Sequence, residues 1–187
     1  MNRVENYLRV MTEIQRGMGS HVHGYYGYFG LEDFVLRHGR VFEPAPLPRG
    51  VRRGRMTLCY MNAALLAIED RRFTYCEGFA AGIIPVMHAW VCDDQGRALD
   101  VTWKDGKQYV GVPVNRKYLM RSLARKKTYG LIDNWQQGWP MLKDGPEKWA
   151  QQSVMQHNLL PPQNVLPVTQ VIPRDCNEPA VATGLLP

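Results

Sequence analysis

The chain has 187 residues, enough for one well-cored domain and too few for two of ordinary size. Hydrophobic residues at 45% and charged residues at 21% match globular usage and exclude wholesale disorder. A formal charge of +6 and a pI near 9.3 allow an acidic partner without identifying nucleic acid.

No apolar run reaches the roughly 18 residues of a membrane span, and MNRVENYLRVMTEIQRG lacks the apolar core of a signal peptide. The expected location is therefore the cytosol, with no membrane partner. In that reducing compartment Cys59, Cys76, Cys92 and Cys176 are expected as free thiols rather than as a disulfide framework.

In chain order, Val4, Leu8, Met11, Ile14 and Met18 recur at helical spacing and predict an amphipathic helix over residues 3–17. GSHVHGYYGYFG (19–30) is expected to be irregular, followed by a short helix from Leu31 to Arg37. FEPAPLPRGVRRGR predicts an extended, exposed segment. CYMNAALLAIE (59–69) carries apolar residues on nearly every side, as a helix buried in the core does. Strands are expected at Phe73–Ala80, Met87–Asp93 and Arg97–Trp103, with a fourth at Gln108–Val112. Asn115 is placed to cap a basic helix running to about Lys127, and Pro146 to open another that reaches His157. Residues 1–157 form one expected domain with its core at 56–112. Residues 158–187 hold six of the 13 prolines and predict a tail, either poorly ordered or wrapped on the surface.

Three residues in this frame carry chemistry. Cys59 opens the buried helix, with Thr57 available as N-cap; first-turn N–H groups and the helix dipole favour thiolate there. His88 starts the strand HAWVCDD, and Asp100 lies in the next, ALDVTW. If the Asp93–Gly96 turn has an odd-length loop, paired residues sum to 190 or 188, and His88 and Asp100 share a face. A two-residue loop would put them on opposite faces. Asp-Asp-Gln-Gly favours the odd loop, because Gly suits its left-handed position. Asp100 could then orient the imidazole of His88, and His88 could take the proton of Cys59.

A Cys heading a buried helix, a strand containing Tyr75-Cys76-Glu77-Gly78-Phe79, then His-Ala-Trp and Asp-x-Thr together resemble the core of the transglutaminase-like superfamily. The resemblance spans residues 59–103. It implies an α+β, papain-like fold, a central helix packed on an antiparallel sheet with peripheral helices. It also implies Cys59 as nucleophile, His88 as base and Asp100 as third member. Superfamily members include proteases, amidases and bacterial and phage proteins. Related enzymes complete the oxyanion hole with an upstream Gln or Trp, but VRRGRMTL contains neither. The backbone N–H of Cys59 is one candidate donor, with Asn62, Tyr26 or Tyr28 as the second.

The resulting expectation is a thiol hydrolase, peptidase or amidase, acting on a protein or peptide without cofactor or metal. Its alternatives are a transglutaminase or other acyltransferase, and a non-catalytic protein- or nucleic-acid-binding scaffold. Trp90 and Trp103 are expected as core or cleft walls. His21 and His23 could chelate a metal, though no third ligand stands near them in sequence; Cys59, His88 and Asp100 could together bind zinc. Arg49, Arg52, Arg53 and Arg55 precede the nucleophile, and a second basic cluster runs from Arg116 to Lys127. Both read as solvated faces, or as charge that steers an acidic substrate.

Overall fold

The computed structural model describes residues 2–19, 27–126 and 128–150. His21, His23, Tyr26, Cys176 and the tail at 158–187 lie outside these residues, as does the helix expected beyond residue 150. The architecture is mixed α/β: helices packed on a curled, antiparallel five-stranded sheet. Among the described residues no helix is long and apolar enough to cross a membrane.

Helix α1 (Arg3–Gly17) is capped by Asn2, whose side chain accepts from the N–H groups of Val4 and Glu5. It buries Val4, Leu8 and Thr12, while Ile14 and Met18, expected on its apolar stripe, are exposed. Helix α2 (Leu31–His38) runs into β1 (Arg40–Phe42), a strand the sequence reading did not separate from the proline segment. Phe42 is buried rather than exposed, because β1 pairs with β5 (Gln108–Val114) through Phe42 and Tyr109.

Strands β2 (Thr74–Ala81) and β3 (Pro85–Cys92) form the central hairpin, and the sheet order is β1-β5-β2-β3-β4. β4 is only Ala98–Leu99, shorter than the expected strand to Trp103. Asp100 ends it: one carboxylate oxygen accepts from the backbone N–H of Thr102 and Trp103, which curls the chain out of the ladder. Just past β1, Ala98 N–H donates to Glu43 O at 2.7 Å and Ala45 N–H to Ala98 O at 2.8 Å. These bonds tie the two edges of the sheet together.

The curled sheet has an inner face of alternate residues, where Phe42, Cys76, Ala80, Trp90, Cys92, Ala98 and Tyr109 pack. Trp90 fits there because Gly78 and Gly111 oppose each other across β2 and β5. A Cβ on Gly111 would stand 2.5 Å from the Trp90 ring. The outer face packs against α1, α2 and α3 (Cys59–Glu69).

Helix α3 is not buried all round: Ala63, Ala64 and Ala67 face the sheet, whereas Leu65 is exposed. Small residues on one side bring the helix close to β3, leaving its other side at the surface. Its N-cap position is Leu58, with no side-chain cap, so Thr57 does not play the expected part. Its C-terminal carbonyls at Ala67 and Ile68 accept from the guanidinium of Arg116. Arg116 opens α4 (Arg116–Lys126), the basic helix, whose Tyr118 N–H is capped by the Asn115 side chain as expected. A single 3₁₀ turn (Trp135–Gln137) and two short helices, α5 (Pro140–Lys143) and α6 (Pro146–Trp149), complete the described chain.

Candidate active site

The β3–β4 turn places the site. Val91 pairs with Leu99 and Cys92 with Ala98, so paired residues sum to 190. Gly96 takes φ +74°, and its N–H reaches Asp93 O at 3.0 Å, as a three-residue loop requires. His88 and Asp100 therefore share a face, one diagonal apart. His88 Nε2 donates to Asp100 Oδ2 at 2.8 Å, and both residues are buried.

With Nε2 engaged, Nδ1 is the ring nitrogen left for Cys59, whose side chain is near enough to act on His88. Cys59 is half-buried and reduced. Burial works against charge on His88, but the bonds to Asp100 and Cys59 outweigh it and raise its pKa to about 8. The imidazole thus readily holds a proton beside the sulfur at neutral pH.

Asp100 is more heavily bonded than the sequence suggested. Oδ1 accepts from the N–H groups of Thr102 and Trp103, each at 2.8 Å, and Oδ2 accepts from His88 and from the hydroxyl of Tyr109, also at 2.8 Å. Burial pushes its pKa up, yet the bonds from His88, Trp103 and Thr102 hold it below the ordinary carboxylate range. The Asp-x-Thr motif is therefore a turn that fixes the carboxylate. Tyr109 escaped the sequence reading, although its parity in β5 was a usable signal: it pairs with Ala80, two residues along β2 from the partner of His88.

Trp103 stacks on the imidazole of His88, with ring centroids 3.9 Å apart and planes 19° apart. It shields the His88–Asp100 bond from water, as a cleft wall would. Trp90 instead fills the inside of the curled sheet, fully buried. Asn62 is not a free oxyanion donor, because its amide N–H groups go to Arg55 O at 2.9 Å and Thr102 Oγ1 at 3.0 Å. The Tyr28 hydroxyl bonds His38 Nε2 at 2.6 Å, within an aromatic group formed with Phe34 and Trp149, so it too is engaged. The uncapped first turn of α3, beginning with the N–H of Cys59, is what stands beside the thiol for an oxyanion.

Arg53 Nε donates to Trp103 O at 3.0 Å, and its charge reaches Tyr109, which brings one of the expected basic residues to the edge of the site. Arg52 and Arg55 are exposed. Among the described residues no group of three or more His, Cys, Asp or Glu side chains is arranged to hold a metal. Cys92 lies four residues along β3 from His88, fully buried, and packs with Cys76 inside the curled sheet. Comparison with protein-family models, with curated proteins and with solved structures returns no match.

Proposed function

We propose that the protein is a cysteine-nucleophile hydrolase of the papain-like, transglutaminase-like kind, cleaving an amide bond in a peptide or protein. One observation carries the reading: His88 is hydrogen-bonded to an Asp100 that three further donors hold, and Cys59 at the head of α3 acts on the same imidazole.

In the proposed reaction Cys59 passes its thiol proton to His88 Nδ1, Sγ attacks the amide carbonyl, forming a C–S bond, and the oxyanion is met by the N–H of Cys59. Collapse breaks the C–N bond, and His88 gives its Nδ1 proton to the departing amine. Water then attacks the thioester, His88 takes a proton from it, and Sγ leaves as the carboxylate product forms. Asp100 keeps Nε2–H donated toward itself throughout, so the ring presents Nδ1 to the sulfur.

Intact-protein mass spectrometry after mixing with activated peptide esters tests this. A single acyl adduct, mapped to Cys59 and absent in Cys59→Ala, is the expected result. Decay of the adduct faster with added amine than with water would mark an acyltransferase. No adduct with any ester would favour the non-catalytic alternative, which draws on the engagement of Asn62 and Tyr28 away from the oxyanion position.

A further inference from the structure

Beside the triad lies a groove of about 710 Å³, within the range of ligand sites. Its floor is the outer side of α3. Asn62, Leu66 and Glu69 line it, and counted from Cys59 they follow at steps of three, four and three residues. Residues so spaced share one face of a helix, so the groove continues the line that starts at the nucleophile. From Asn62 to Glu69 the helix rises roughly 10 Å, the length of about three extended residues.

The opposite wall is fixed to the strand that carries Asp100. Gly54 N–H donates to Val101 O at 2.8 Å, Asn62 bridges Arg55 O and Thr102, and Arg53 is pinned to Trp103. Gly54 is small for a reason: a Cβ there would stand 2.2 Å from the Asn62 side chain. The groove is thus built onto the catalytic scaffold.

Its charge is one-sided. Arg49, Arg52, Arg71 and Arg72 line it, against Glu69 and Asp70. Asp70 is taken by Arg72 at 2.6 Å, whereas Arg49, Arg52 and Arg71 have no carboxylate within ion-pair distance among the described residues. Between them stand apolar Val51, Leu65 and Val101.

We infer that this groove binds an acidic stretch of the peptide presented to Cys59, its Glu or Asp carboxylates set against Arg49, Arg52 and Arg71. The inference rests on the hydrolase reading for what happens at Cys59, but the groove itself is tested by binding alone. An acidic peptide suits it better than a nucleic acid strand. Leu65 and Leu66 would meet aliphatic stems, and Glu69 would repel a continuous phosphate backbone.

The test is fluorescence anisotropy with the full-length Cys59→Ala chain, which binds without turnover. The probes are a labelled peptide of alternating Glu and Leu, its Gln counterpart, and a labelled oligothymidine of equal charge. The Glu peptide is expected to bind about tenfold tighter than the Gln peptide at low salt, as two or three modest ion pairs would produce. Arg49→Gln, Arg52→Gln and Arg71→Gln together, all three exposed and so compatible with folding, should erase that margin. Equal binding of the two peptides, a margin that survives the triple variant, or tighter binding of the oligothymidine would each overturn the inference. Were the Glu margin present while Cys59 took no acyl adduct, the hydrolase reading would fall and the groove would stand as a binding site.

Discussion

Asp100 gathers His88, Tyr109 and two backbone N–H groups within 2.8 Å, so a change at any of them acts through its carboxylate. In the proposed hydrolase Tyr109 positions Asp100. Tyr109→Phe removes one donor and frees Oδ2 to swing, which should lower kcat about tenfold with KM unchanged. It should also cost about 2 kcal/mol of stability in urea unfolding, the worth of a bond to a charged group. Gly106→Ala should act on the same bond, since a Cβ there would stand 1.8 Å from the Tyr109 hydroxyl. His88 sets the pH response. Its folded pKa of about 8 lies above the ordinary 6.5, so the stability it contributes is full below pH 6.5 and lost as pH rises through 8. That shift is worth about 2 kcal/mol. Urea unfolding at pH 6 and pH 9 should show this loss in the native chain and much less in Asp100→Asn. Under the proposed reaction, hydrolysis should decline over the same upper range, as His88 loses the proton it would give to the leaving amine.

At the scale of the element, what a strand or helix holds is often remote in sequence. Glu77, fully buried in β2, accepts from the N–H groups of Leu131, Ile132 and Asp133 and from the Tyr75 hydroxyl. Burial pushes its carboxyl up to about 7 despite those four donors. Glu77→Gln would turn an amide N–H toward the Leu131 N–H, so a destabilisation of about 1–3 kcal/mol is expected by thermal or urea unfolding. Gly111→Ala should cost about 3 kcal/mol by forcing a methyl between Trp90 and the Glu77 carbonyl. Here the limits of sequence reading are physical. The His88–Asp100 register was legible because Asp-Asp-Gln-Gly is local turn chemistry and strand parity does the rest. The Arg116 cap on α3 and the Glu77 anchor were not, because each joins residues about 50 positions apart and leaves no periodic trace. β1 was missed because three residues beside a proline run carry too short a pattern to count. Helix α3 was read as buried throughout because apolar residues stand on nearly every side, yet Leu65 is exposed on the groove.

The whole molecule divides its labour between a curled sheet and a helix laid against it. The sheet supplies His88 and Asp100 and packs its own interior with Trp90 and Tyr109; the helix supplies Cys59 and one wall of the groove. The chemistry proposed for it depends on His88 activating Cys59 across the junction. Alkylation by iodoacetamide at neutral pH, with the modified cysteine mapped by peptide mass spectrometry, tests that dependence most directly. Cys59 should be labelled first, and His88→Ala should slow its labelling by about tenfold or more. Labelling confined to other cysteines, or a Cys59 rate unchanged in His88→Ala, would contradict that dependence.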